Sequence, residues 1–166
     1  MILIALGANL AGSAGPPPAQ LAAALAELER RGVAVRRCSR FFRSPAWPDP
    51  ADPPFVNAVA EVESSLTPQT LLALLHEVEA ALGRRRTRPN APRPIDLDLL
   101  DYNGIVRTGG TGPVLPHPRL AERAFVLLPL AEIAPDWRHP VSGRSLAALV
   151  AGLPAGATAE PLDPAP

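Results

Sequence analysis

The sequence contains no lysine; all 16 of its basic residues are arginine. That absence excludes a Walker-type phosphate loop with its lysine, a lysine Schiff base, and pyridoxal chemistry anchored on one. Cysteine is nearly as scarce. Cys38 stands alone in 166 residues, so no internal disulfide forms and no Cys-x-x-Cys pair holds structural zinc. An excess of either charge is also missing, because 16 acidic residues balance the arginines. No overall field draws the chain to nucleic acid or an anionic membrane, and any attraction for phosphate must be local. No apolar run is long enough to span a bilayer, and the start, Met1-Ile2-Leu3-Ile4, lacks the charged n-region of a signal peptide. A cytoplasmic location is the expectation. With 47% hydrophobic residues the chain is large enough for one core and small for two.

What is present is organised around one run, Pro92-Arg93-Pro94-Ile95-Asp96-Leu97-Asp98-Leu99-Leu100. In an extended strand successive side chains alternate, so Ile95, Leu97 and Leu99 share one face and Asp96 and Asp98 the other. Carboxylates at i and i+2 lie roughly 7 Å apart, too far to share a proton and well placed to hold hard divalent cations such as magnesium. A plain amphipathic strand with one wet face would carry the same pattern. The residues upstream favour the first reading: Arg84, Arg85, Arg86, Arg88 and Arg93 fall within ten positions. Acidic metal ligands beside clustered guanidinium groups suit a polyphosphate, whose oxygens need both partners.

Along the chain, Ile2 to Leu6 reads as a buried strand ending at Gly7-Ala8-Asn9. Leu21, Leu25 and Leu28 recur at helical spacing until Gly32. Val33 to Ser44 predicts a second strand with one wet face. Ser44 to Pro54 carries Pro45, Pro48, Pro50, Pro53 and Pro54 and must be a long loop. Phe55 to Glu63 alternates, with Val56, Ala58, Ala60 and Val62 on one side and Phe55, Asn57 and Val59 on the other. A ring beside an amide suits a flat heterocycle, one stacking and the other reading edge donors and acceptors, although core packing is the simpler use of Phe55. Thr67 and Pro68 open a helix whose stripe is Leu71, Leu74, Leu75, Val78 and Leu82. The order predicts an α+β, ferredoxin-like βαββαβ core: a mostly antiparallel sheet with helices on one face and Asp96, Asp98, Phe55 and Asn57 on the other. After Tyr102 comes the Gly109-Gly110-Thr111-Gly112 loop, then Pro116-His117-Pro118 and the apolar Val126 to Ile133. We expect one domain over residues 1–154 and a loose Ala/Gly/Pro-rich tail over 155–166.

Six stretches, in order, resemble the hydroxymethyl-dihydropterin pyrophosphokinase family. They are Leu6-Gly7-Ala8-Asn9-Leu10; Phe55-Val56-Asn57-Ala58; Glu79 with Gly83-Arg84-Arg85-Arg86; Pro92 to Asp98; Pro116-His117-Pro118; and Arg123-Ala124-Phe125-Val126-Leu127. The resemblance implies transfer of the terminal diphosphate of ATP to the hydroxymethyl group of a reduced pterin, with AMP released. It implies that Asp96 and Asp98 hold two magnesium ions and that Arg84 and Arg93 act beside them as catalytic cations. Ser44, Pro45, Trp47, Phe55, Asn57 and Phe125 would hold the pterin. Leu72, His76, Glu79, Arg84, Arg86, Arg93, Leu99, His117 and Arg123 would hold ATP. Two loops depart from the family pattern. The tract Arg88-Pro89-Asn90-Ala91-Pro92-Arg93 lacks the usual tryptophan, and Trp47 and Pro48 stand where a smaller apolar residue and a glycine are common. The expected partners are ATP and the pterin alone, with no nucleic acid or membrane, and the expected state is a monomer. A two-metal phosphohydrolase would use the same D-x-D and arginines. An RNA-binding ferredoxin-like module would present Phe55 on its sheet, against the neutral charge.

Overall fold

The computed structural model describes residues 1–47, 49–85 and 91–162. Strand β1 (Ile2–Ala8) is central in the sheet, between β4 (Phe55–Glu63) and β5 (Asp96–Tyr102), and antiparallel to both. Its position follows from its residues, which are apolar or small on both faces and all buried except the half-buried Ala5. Along the outer edge of β4 lie two short strands end to end, β2 (Ala34–Cys38) and β3 (Phe42–Ser44), and β6 (Glu160–Pro161) pairs with β3. Taking β2 and β3 as one edge, the order β5-β1-β4-β2/β3 with two intervening helices is the predicted ferredoxin-like core.

Helices α1 (Pro17–Arg30) and α2 (Pro68–Ala81) cover one face. Ile2, Ile4, Leu6, Val56, Ala58, Ala60, Val62, Leu97 and Leu99 project into it to meet Leu21 and Leu28 of α1 and Leu71, Leu75 and Val78 of α2. Helix α2 starts as expected, with the Thr67 side chain accepting from the Thr70 N–H at 3.3 Å and Pro68 in the first turn. Gln20 is buried in this layer with its hydrogen bonds made. Its Nε2 donates to Leu82 O (3.0 Å) and Pro94 O (3.1 Å), and its Oε1 accepts from Ala14 N (2.8 Å). A Cβ at position 12 would lie 2.1 Å from Gln20 Nε2, so only glycine fits there.

The expectation of helices on one face needs an addition. Helices α3 (Ala124–Ile133) and α4 (Leu146–Ala151) pack on the opposite face over the half that carries Leu3, Val59 and Leu100, forming a second core with Trp137. The other half stays open. Three further features differ from the sequence reading. The strand expected over Val33 to Ser44 is broken at Ser39–Phe41, where one extra residue is taken up between Cys38, paired with Ala60, and Phe42, paired with Asn57. Ser39 replaces the missing ladder bond: its Oγ accepts from Val59 N at 3.1 Å. Strand β5 also bulges. Ile4 pairs with Leu99 but Leu3 pairs with Asp101, leaving Leu100 extra. Beyond this bulge the parity shifts, so Asp101 turns to the second core and accepts from Trp137 Nε1 at 2.8 Å. Tyr102 returns to the first face, its hydroxyl donating to Leu66 O at 2.5 Å. Finally, part of the expected loose tail is ordered. The β3 edge offers unpaired backbone groups, and Glu160–Pro161 cover them, continued by Leu162 N donating to Phe41 O at 2.7 Å. No helix among the described residues is long and apolar enough to cross a membrane.

Candidate active site

The open half of the sheet is the floor of a cavity of about 720 Å³. Two small residues of β1 make the room. Ala5 pairs with Asp98 on one side and Val59 on the other, and Gly7 pairs with Asp96 and Asn57. A Cβ on Gly7 would meet Asn57 Oδ1 at 3.2 Å and Phe55 Cδ1 at 3.8 Å, crowding the groups that flank it. The strand parity read from the sequence therefore brings Asp96 and Asp98, from β5, to the same floor as Phe55 and Asn57, from β4.

The two carboxylates have unlike surroundings. Asp96 accepts from Arg84 Nη1 at one oxygen and from Arg93 at the other, with Nη2 at 2.6 Å and Nε at 2.9 Å. Burial works to raise its pKa, but the Arg93 and Arg84 guanidinium groups together outweigh that and hold it below the usual carboxylate value. Among the described residues Asp98 has looser cations: Arg123 Nη1 at 3.7 Å and His117 Nε2 at 3.9 Å, both beyond hydrogen-bond length. Burial, and then the negative charge of Asp96, push the Asp98 pKa up. His117 is oriented by its backbone N–H to Leu100 O (2.8 Å) and by its Nδ1, which accepts from Arg119 N at 3.2 Å. That leaves the neutral ring's proton on Nε2, facing Asp98. Burial lowers the pKa of His117, and burial followed by Arg119 lowers that of Arg123.

Supporting residues fix these groups from behind. Glu79 is buried, accepts from Leu97 N at 2.8 Å, and pairs with Arg84 Nη1 at 2.5 Å. For Arg84, burial disfavours the charge, but Asp96 and Glu79 outweigh it and raise the pKa further. Asn9, at the end of β1, ties two loops together: its Oδ1 accepts from Arg93 N (2.8 Å) and its Nδ2 donates to Pro53 O (3.0 Å). Each phenyl ring of the cavity is backed by a guanidinium, Arg93 over Phe55 at 5.2 Å and Arg123 over Phe125 at 5.3 Å. Asn57 Nδ2 donates to Ser44 Oγ at 2.9 Å, which holds the amide against β3.

Most of the residues singled out from the sequence meet here. Ser44, Pro45, Trp47, Phe55, Asn57, Arg84, Arg93, Asp96, Asp98, His117, Arg123 and Phe125 all line the cavity. Four others do not. Glu79 lies under the site, occupied by Arg84 and the β5 backbone, rather than in it. The Leu99 side chain is in the first core, as its odd position in the strand requires, so only its main chain can face a ligand. Leu72 and His76 stand on α2, which packs on the other face of the sheet. Arg86, Arg88 and Pro48 lie outside the described residues. Sequence reasoning missed Asn9 as a loop tie, Arg119 and Glu122 on the rim, and Gly156–Thr158, which also line the cavity. An asparagine directly after a buried strand that ends beside a glycine was the available signal for Asn9.

The donor set fits a hard divalent cation. Two carboxylates share one face, and Asp98 carries a charge that no described cation approaches to hydrogen-bond length. No cluster of three acidic, histidine or cysteine ligands exists among the described residues, so water and ligand phosphate oxygens would complete such a cation's shell.

Comparison with known proteins agrees with this geometry. Residues 3–135 match the family model described as 7,8-dihydro-6-hydroxymethylpterin-pyrophosphokinase (HPPK). Three curated proteins named 2-amino-4-hydroxy-6-hydroxymethyldihydropteridine pyrophosphokinase are similar over most of their length. The Synechocystis protein is 41% identical, covering 86% of this chain and 72% of its own. That of Methylorubrum extorquens is 43% identical, covering 80% and 82%, and that of Pseudomonas aeruginosa 40%, covering 92% and 91%. Among solved structures, Plasmodium falciparum HPPK-DHPS superposes with a TM-score of 0.67 at 12% identity, a likeness of fold that covers 90% of this chain and 44% of that one.

Proposed function

This chain belongs to the 7,8-dihydro-6-hydroxymethylpterin-pyrophosphokinase family, and on that premise we propose how its site works. It transfers the diphosphate of ATP to the hydroxymethyl group of 6-hydroxymethyl-7,8-dihydropterin, giving the pterin diphosphate and AMP, a step of folate biosynthesis. The observation that carries this reading is the single cavity that unites the acidic pair, five basic side chains and two phenyl rings.

The ring pair and Asn57 hold the pterin so that its hydroxymethyl oxygen faces the carboxylate end of the floor. That oxygen attacks the β-phosphorus, the bond from the β-phosphorus to the α–β bridging oxygen breaks, AMP leaves with that oxygen, and the hydroxyl proton passes to solvent. Arg84 and Arg93, fixed by Asp96, are placed to neutralise charge on the transferring phosphates, and His117 and Arg123 to meet the nucleotide side. Asp96 and Asp98 would hold two magnesium ions, which when bound supply Lewis acidity and a template for the triphosphate. Positioning and electrostatics supply the rate, which suits a chain with no lysine and no reactive thiol: burial pushes the Cys38 thiol up to about 11. We take the working unit to be a cytoplasmic monomer.

Product analysis with ATP, magnesium and the pterin alcohol tests the proposal. AMP and pterin diphosphate in equal amounts are expected; ADP as the sole nucleotide product would overturn it. Omitting the pterin separates the phosphohydrolase reading, which needs only water. Family membership and the ring pair beside the acidic pair disfavour both that reading and RNA binding.

A further inference from the structure

The family match ends at residue 135, yet a later segment of this chain reaches the cavity. Strand β6 pairs Glu160 with Arg43 and Pro161 with Phe42 on the outer edge of β3. Continued in the same antiparallel register, Thr158 falls beside Pro45, Ala157 beside Ala46, and Gly156 beside Trp47. All six of these residues line the cavity. The segment is anchored on its far side, where Ala159 is buried and Leu162 both packs on the first core and bonds to Phe41 O. The turn closed by Ala157 N on Pro154 O thus leads Gly156–Thr158 along the rim of the cavity, whose lining they share with Pro45, Ala46 and Trp47 and with Ser44 and Asn57, themselves hydrogen-bonded.

We infer that Gly156–Thr158 is a specificity-determining wall of the pterin end of the site, limiting its width to that of a flat bicyclic heterocycle. This deepens the pyrophosphokinase reading and rests on it. The small side chains Gly156 and Ala157 leave the slot open for a planar ring, and the Thr158 hydroxyl offers both a donor and an acceptor at its edge. The carboxylates and arginines of the phosphate end come from other elements, so the segment acts on the pterin and not on ATP.

Two variants test it: a chain ending at Pro154, and Ala157→Leu, which leaves the strand pairing in place and narrows the slot. Steady-state KM is measured separately for the pterin and for ATP. The expected result is an increase of about tenfold in pterin KM for both variants, with ATP KM changed by less than about twofold. An unchanged pterin KM in the folded shortened chain, or pterin and ATP KM values rising together, would overturn the inference. Should the shortened chain fail to fold, Ala157→Leu decides alone, and an unchanged pterin KM there rejects it. Failure of the unaltered protein to make AMP is a different outcome, which removes the pyrophosphokinase reading itself.

Discussion

The two faces of the sheet are made from the same strands and differ in what they ask of each residue. On the α1/α2 face, β1, β4 and β5 contribute apolar side chains and, at the end of β5, Tyr102; of the two buried polar groups that enter this layer, Gln20 bonds to backbone and Glu79 to the Leu97 N–H and to Arg84. On the opposite face the same strands contribute Leu3, Val59 and Leu100 to a core at one end, and Ala5, Gly7, Asn57, Asp96 and Asp98 to a cavity at the other. One face holds the fold together; half of the other is kept from packing so that a ligand fits. A residue's parity in its strand thus decides whether its loss is felt as lost stability or as lost chemistry.

The strongest way to break this division is Asp98→Ala. Turnover should fall by about a thousandfold or more, roughly 4 kcal/mol of transition-state stabilisation, while the melting temperature does not drop. A cooperative loss of structure would show that the open half is structural after all. The converse is Leu28→Ala, at a fully buried position of α1. It should cost about 2–5 kcal/mol in denaturant unfolding and leave KM for both substrates as they were in the fraction that stays folded.

A finer test separates the two carboxylates. Asp96 has a lowered pKa in the fold, so its contribution to stability is present above the unfolded value near 3.8 and is lost as pH falls through the lower native value. Asp98 has a raised pKa, so its contribution is complete below that value and is lost as pH rises through the higher native one. At neutral pH, without magnesium, Asp96→Asn should therefore lower the melting temperature and Asp98→Asn raise it, by about 2–4 °C per kcal/mol in a chain of this size. Calorimetry on the two variants checks the signs, and a matching shift in both would refute the asymmetry. The smallest effect belongs to Thr67→Ala, which removes the α2 cap on the far side from the cavity. About 1 kcal/mol of stability should go, with turnover unaltered.

Strand parity was legible because it depends only on neighbours in sequence: the alternation over Phe55–Glu63 and over Ile95–Leu99 is the alternation found. The α2 start at Thr67 was readable for the same local reason. What escaped depends on partners far along the chain. The bulge at Leu100 exists because Asp101 must turn to reach Trp137, 36 positions later. The break at Ser39 depends on Val59, and the last strand depends on an edge of β3 that nothing within residues 155–162 announces. In the site, the charged and aromatic groups stood out by type. The resemblance implies nucleotide-side roles for Glu79 and Leu99; that the Glu79 side chain pairs with Arg84 and the Leu99 side chain packs in the first core depends on the fold and is not readable from their types. Gly156–Thr158 carry no chemistry that draws notice until they are seen beside Pro45.

The hollow above Ala5 and Gly7 is excavated by side-chain truncation alone. Both residues sit in a strand whose amides and carbonyls are bonded to neighbours on either side, so depth is gained without loosening the ladder beneath it. The base of the binding site is consequently as stiff as the centre of the sheet, and whatever adapts to an incoming ligand must be its loops and rim.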